Sequence, residues 1–441
     1  MRTEQENKKL PKVLAISLST WRNDSGIHTQ TDLFKFWNAE QVAQIYTRSD
    51  LPDTSVCNSF FQISENAVIK SIFSRRPVGR RVQNGADPDS STQKATLEEK
   101  RLYAIGHKRK SWLLTIAREI VWNVGCWKSD ALNNFICEEN PDVYFVPIYP
   151  VVYMAKLQRY ILKKYRKPYV CYLWDDNYSY MNCGHNLWAY VHRFWLRKYV
   201  KKLVSECSEM FVITKTEGEE VDRIFGTHSV VLTKGINYSN LTYKGISASR
   251  PIKMVYTGNL LIGRASSLVA ISKAMAKINQ NVEKITLDIY SPTELDPKTM
   301  NILNSNGCHH HGNVPHSEVA AIQNMADIVV FVESLEKKHR YAARMSFSTK
   351  LTDYFKSGKC IFAIGDKDIA PIAYLRENSA AVISTEYSEI EKNLRMLADN
   401  PELLNQYGKK AFECGRRNHS EDIVKNTFIS TILKACNKEE E

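Results

Sequence analysis

Lys350 follows Ser346-Phe347-Ser348-Thr349 and precedes Leu351, Tyr354 and Phe355, which recur at helical spacing as far as Gly358. The pattern predicts a loop, a short helix ended by a left-handed glycine, and a buried strand over Cys360–Ile364. A helix opening at this point presents unpaired backbone N–H groups and the positive end of its dipole, to which the lysine adds a full charge. Such a place suits an anion, and phosphate is the natural guest. From sequence alone an ordinary serine or threonine cap looks the same. Two observations favour the anion. Asp353 lies one turn on, on the side of Lys350, where a carboxylate can accept hydrogen bonds from ribose hydroxyls. Upstream, Met254–Thr257 reads as a strand running into Gly258 and Asn259, with Arg264 ahead of another helical segment. Two strand-to-helix turns bearing Lys350 and Arg264 could pinch a diphosphate.

Tyr256-Thr257-Gly258-Asn259-Leu260, Gly263-Arg264, His311-Gly312-Asn313-Val314, and Ser348-Thr349-Lys350-Leu351-Thr352-Asp353-Tyr354 with Gly358-Lys359 resemble the nucleotide-sugar half of GT-B glycosyltransferases, the retaining family 4 type above all. The resemblance covers about residues 250–415, and residues 11–240 in outline. It implies an α/β chain of GT-B architecture, two Rossmann-like doubly wound domains facing a cleft. Residues 1–240 would form the acceptor-binding domain, 241–415 the donor-binding domain, and 416–441 a helix crossing back to the first. Residue by residue, it implies that Arg264 and Lys350 clamp the donor diphosphate with help from the N–H groups of Leu351 and Thr352. They would offset charge growing on the leaving nucleotide. Gly258 and Asn259 would shape the donor turn, Asn313 and Val314 would pass the nucleobase, and Asp353 would bind ribose. The family's companion glutamate, eight positions before Asp353, falls on Met345, and Glu333 at a strand end is the candidate replacement. No metal and no cofactor is implied. The nucleotide-sugar is a substrate, and its leaving phosphate assists a same-face attack that needs no carboxylate nucleophile.

The elements that must hold these groups follow from the rest of the chain. At 441 residues it exceeds a single comfortable core and predicts two domains. Beyond residue 250, strand and helix alternate, the pattern of a parallel doubly wound sheet. Hydrophobic residues at 43% and charged residues at 24% exclude disorder throughout. A net charge of +12 favours an anionic partner: phosphorylated substrates, an acidic lipid surface, or nucleic acid, for which no signature stands out. Ten cysteines without a C-x-x-C pair, and no cleavable signal peptide, fit a reduced cytoplasmic protein. No window reaches the ~20 apolar residues of a spanning helix.

In the first half, Val13–Leu18 reads as a buried strand, followed by a loop carrying Gly26 and His28. Loops at the carboxyl ends of strands line ligand crevices, so Gly26 and His28 are candidates to approach acceptor or donor; equally, they shape a turn and cap a helix. A strand from Pro168 ends in Trp174, Asp175 and Asp176. Adjacent carboxylates imply a metal, a cationic partner, sugar hydroxyls or simple exposure. The place resembles the strand end where the family carries a His-Asp pair, with Trp174 where the histidine would be, and Asp175 or Asp176 would orient an acceptor hydroxyl. Residues 74–110 read as a mobile basic insertion, either a solvated loop or an arm touching lipid phosphates. Tyr153–Lys167 and Trp188–Lys202 read as basic, aromatic-bearing helices, either ordinary surface helices or helices lying on an anionic membrane. The expected localisation is cytoplasmic, with peripheral contact at the inner membrane face. His309, His310, His311 and His316 invite a metal, but consecutive strand residues point to opposite faces and no three converge. Two functions result: a retaining glycosyltransferase acting on a glycan or lipid-linked glycan, or a noncatalytic basic module for nucleic acid or anionic membrane.

Overall fold

The computed structural model describes residues 10–23, 28–86, 112–184 and 186–437. The chain divides into two compact units, one running to Leu232 and resuming at Lys425, the other spanning Thr233–Val424.

The first unit is built on eight strands: β1 (Val13–Ser17), β2 (Val42–Tyr46), β3 (Ser59–Gln62), β4 (Arg80–Val82), β5 (Val143–Pro147), β6 (Tyr169–Leu173), β7 (Glu209–Val212) and β8 (Ser229–Val231). Their order is β4-β3-β2-β1-β5-β6-β7-β8. All pairings are parallel except that of β4 with β3. β1, β2, β5, β6 and β7 are buried along their whole length, the condition of parallel strands covered by helices on both faces.

β4 corrects one expectation. It lies in the basic stretch read as a mobile insertion from residue 74, yet it pairs with β3 in the register Phe60↔Val82. Arg80 donates to Gln62 at 3.1 Å, and Arg81 pairs with Glu138 and Glu139. Basic side chains on a short edge strand suit a sheet margin; the charge run hid the pairing. Residues 87–110 of that stretch lie outside the described residues. The helix expected over Tyr153–Lys167 spans Val152–Lys164 and buries Tyr153, Met154, Leu157 and Ile161, so it is a core helix and not a membrane-surface one.

The last helix, Glu421–Asn437, supplies an aromatic wedge to this unit. Phe428 is fully buried, with the rings of Phe34, Trp37, Phe145 and Phe211 between 5.2 and 6.0 Å away.

The second unit carries β9 (Ile252–Thr257), β10 (Ile285–Tyr290), β11 (Cys308–Gly312), β12 (Ile328–Val332), β13 (Cys360–Ile364) and β14 (Val382–Ser384), all parallel, in the order β11-β10-β9-β12-β13-β14. This is the doubly wound Rossmann-like order, and its direction reverses between β9 and β12. Helices Arg264–Ile278, Pro297–Leu303, His316–Met325, Thr349–Ser357, Ala370–Glu377 and Tyr387–Asp399 alternate with the strands. Among the described residues no helix is long and apolar enough to cross a membrane.

Phe428→Ala should destabilise the protein by about 3–5 kcal/mol, because it opens a cavity among four aromatic neighbours. Urea denaturation of the variant beside the native chain measures the loss.

Candidate functional site

β9 delivers the chain to Gly258, whose φ of 142° is one that L side chains rarely adopt. A Cβ at this residue would overlap the Nζ of Lys350, so the bare α-carbon is the floor on which the ammonium rests. Tyr256 walls another side, its ring centroid 4.8 Å from that Nζ, and its hydroxyl donates to the Asn259 carbonyl at 2.5 Å. The turn continues through Gly263, φ 75°, the residue that caps helix Arg264–Ile278. A Cβ there would run into Ser334 and His339, which holds the turn against the segment after β12.

From the first position of that helix, Arg264 reaches back across the turn. Its Nε and NH2 donate to Glu333 at 3.1 and 2.8 Å, and its NH1 donates to the Asn259 side chain at 2.8 Å. Glu333 follows β12 directly and is almost wholly buried. The two-pronged bond is the geometry that guanidinium and carboxylate favour.

Lys350 enters from helix Thr349–Ser357. The far face of this helix is pinned: Leu351, Tyr354 and Phe355 are fully buried, and the Tyr354 hydroxyl donates to the Val330 carbonyl at 3.1 Å. Gly408 lets helix Glu402–Asn418 press against the carbonyl of the terminating Gly358. At the open end, Ser348 makes no side-chain cap, and the Leu351 N–H donates to the Ser348 carbonyl at 3.0 Å. That corrects the expectation for Leu351, whose amide is already spent; the Thr352 hydroxyl donates to the Thr349 carbonyl at 2.6 Å. The amides of Thr349 and Lys350 have no acceptor among the described residues.

Burial pushes the Lys350 amine down to about 8; the Arg264 charge pushes the same way and Glu333 opposes. Burial also works against the Arg264 cation, but its bonds to Glu333 prevail and hold its proton more tightly than in free arginine. Arg264 and Glu333 cancel in charge, so the net positive charge of the cluster is that of Lys350.

Asp353 is half-exposed and pairs with Lys234 at 3.6 Å. Asn313 and Val314 follow β11 past Gly312, whose carbonyl accepts from the Ser291 N–H at 2.7 Å; Asn313 is exposed and Val314 half-buried. In the first unit, Asp176 is buried, and its two oxygens accept from the N–H and the hydroxyl of Ser179 at 3.0 and 2.6 Å. It closes a turn with Ser179. One acid folds inward and its neighbour Asp175, half-buried, accepts from the Asp176 N–H at 3.1 Å, so the two carboxylates avoid facing each other. Gly26 lies outside the described residues, as does the side chain of His28, whose backbone opens helix His28–Phe34. His311 meets Asp288 at 2.6 Å and stacks on Tyr290. Among the described residues no group of three His, Cys, Asp or Glu is placed to hold a metal ion.

Sequence reasoning quoted Tyr256 within its motif without giving it a role, and gave none to Ser334, His339 or Lys234. An aromatic residue two positions before the strand-end glycine was a usable signal for Tyr256. The other three reach the site's elements through contacts distant in sequence: Ser334 and His339 against Gly263, Lys234 against Asp353.

No family model matches the chain, and no curated protein matches it. Solved structures do match. Anabaena Alr3699/HepE in complex with UDP is 10% identical with a TM-score of 0.59, over 96% of this chain and 99% of that one. Sucrose-phosphate synthase from Thermosynechococcus elongatus is 10% identical with a TM-score of 0.56, over 94% and 96%. A trehalose 6-phosphate synthase from Burkholderia multivorans is 11% identical with a TM-score of 0.57, over 98% of each. At these identities the likeness is one of fold: the two Rossmann-like α/β units of GT-B glycosyltransferases.

Arg264→Ala should cost about 3 kcal/mol of stability, because it strands the Glu333 carboxylate, whereas the double variant Arg264→Met with Glu333→Leu should recover most of that loss. Urea melts of both variants decide it.

Proposed function

We propose that the chain is a retaining glycosyltransferase of the family 4 type, which moves a sugar from a nucleotide-diphosphate donor to a hydroxyl of a glycan or lipid-linked glycan in polysaccharide biosynthesis. One observation carries the reading. Lys350 is a desolvated cation resting on bare backbone, beside Arg264 and the open amides of a helix start, at the reversal of a doubly wound sheet. A diphosphate brings the negative charge this arrangement lacks. The GT-B fold supports a nucleotide as its carrier, since HepE of that fold holds UDP, and UDP with glucose.

In the reaction the bond from the anomeric carbon to the diphosphate oxygen breaks, and its electron pair leaves with the nucleotide. Lys350 and Arg264 stabilise the charge that grows there, the work a divalent cation does at other phosphoryl sites, so the reading requires no metal. The incoming hydroxyl gives its proton to the leaving phosphate on the same face while its oxygen bonds to the anomeric carbon, which accounts for retention. Asn313 and Val314 serve the base, Asp353 the ribose, and Asp175 the acceptor.

Titrating the protein with UDP and GDP in a thermal-shift measurement tests the site. A ligand at about 100 times its Kd adds ~2.7 kcal/mol, a rise of roughly 5 °C or more for a unit of this size. Lys350→Ala and Gly258→Ala should each weaken binding about 10- to 100-fold, the first by removing the charge and the second by displacing it. A noncatalytic basic module would bind its anion equally well in both variants, and an unchanged shift in Lys350→Ala would sink the enzyme reading.

The affinity should also depend on pH in one direction. The fully ionised diphosphate binds the protonated amine, so affinity is level from about pH 7, above the phosphate's own last pKa, to about pH 8, where free Lys350 titrates, and falls about tenfold per unit above that. Calorimetric titration with UDP across that pH supplies the check.

A further inference from the structure

Helix Trp112–Val124 of the first unit is turned inside out. Its charged residues face the protein: Arg118 donates to Glu65 at 2.8 Å, and Glu119 accepts from the Val152 N–H at 2.8 Å and meets His192 at 3.4 Å. Among its described side chains the exposed ones are Leu113, Leu114, Ala117, Ile120, Asn123 and Val124, apolar but for Asn123. A His192–Glu119 contact at 3.4 Å links it to helix Leu187–Ser205, and both helices pack on helix Val152–Lys164.

That second helix already buries one face through Leu196, Val200, Leu203 and Val204. Its opposite face sorts into two runs. Every exposed position up to residue 195 is apolar or aromatic, including Leu187 at 74%, Trp188 at 47%, Phe194 at 55% and Trp195 at 46% exposure. Beyond them the exposed positions are Lys198, Lys201, Lys202 and Ser205. The helix contains no Asp or Glu. Single exposed apolar residues are ordinary, but apolar solvent faces on two helices that flank the same core helix mark an interaction site.

We propose that these two faces form a docking surface for an anionic lipid bilayer. The inference stands apart from the glycosyltransferase reading. A bilayer interface offers an apolar boundary beneath a layer of negative headgroups, the order in which the aromatic and lysine runs are laid out. Tryptophan and tyrosine favour that boundary, and each lysine near an anionic surface adds attraction. A second copy of the chain would bring the same lysines and no carboxylate on either stripe to pair with them. Nucleic acid would stack on the aromatics but leave Leu113, Ile120, Val124 and Leu187 uncovered.

The test is sedimentation of the full chain with vesicles of phosphatidylcholine alone and of phosphatidylcholine with phosphatidylglycerol. The protein should pellet with the anionic vesicles, weakly with the neutral ones, and less as salt rises from about 0.1 to about 0.5 M. Phe194→Ser with Trp195→Ser, Ile120→Ser with Val124→Ser, and Lys201→Glu with Lys202→Glu should each lower the partition at least roughly tenfold. The replaced side chains are exposed, so melting temperatures should hold, and variants on two helices remain informative if one fails to fold. The UDP-induced thermal shift should be unchanged in the three, which separates this surface from the anion site. Absence of pelleting, equal pelleting with both vesicle types, or pelleting indifferent to all three variants overturns the proposal. So does a dimer in light scattering that the Phe194 and Trp195 changes split without any vesicle binding, or duplex DNA binding in place of vesicle binding.

Discussion

The second unit is organised around one unneutralised cation. Lys350 rests on the α-carbon of Gly258 under the ring of Tyr256, and the nearest buried carboxylate, Glu333, is already taken by Arg264. A charge removed from water without its own counterion is unfavourable, which is why its amine is pushed down to about 8. A folded protein keeps such a group only where surrounding packing enforces it. Here the enforcement comes from the buried face of the lysine's own helix, locked by Tyr354 to β12 and by Gly408 to the helix beneath.

The sheet order explains why these residues meet. Gly258 and Asn259 leave β9, Glu333 leaves β12, and these two strands flank the reversal of a doubly wound sheet. In doubly wound sheets successive crossovers run to opposite sides at that point, the place where a ligand crevice opens outside the strand ends. Arg264 closes one flank from a helix that begins at a left-handed glycine, and the open amides of Thr349 and Lys350 close the other. Fixed dipoles and one net charge thus converge where backbone alone forms the floor, an arrangement suited to a group of oxygens rather than to an apolar ligand.

The first unit treats charge differently. Asp176 is buried in a turn made with Ser179, and Arg118 and Glu119 are drawn inward between helices. The apolar side chains that a core would ordinarily claim are left on the solvent faces of Trp112–Val124 and Leu187–Ser205. The helix between them in sequence, Val152–Lys164, spends its apolar face on the core. The two kinds of helix are hard to tell apart by composition, since all carry aromatic or branched residues at helical spacing; which face is buried depends on the neighbour each one meets.

Residue order by itself determined the alternation of strand and helix beyond residue 250, the glycine turns at Gly258 and Gly358, and the two basic residues at the starts of their helices. Those are local matters of periodicity and backbone freedom, decided within a few residues. Tertiary structure alone decided that Arg264 would be held by a glutamate 69 positions away, that Asp353 would turn to Lys234, and that Asp176 would close a turn while Asp175 stays half-buried. It also decided that a run of arginines at 80 and 81 would form an edge strand. The physical reason is common to all of these: a charged side chain takes its role from whichever partner and dielectric the fold brings to it, and neither is written in its sequence neighbours.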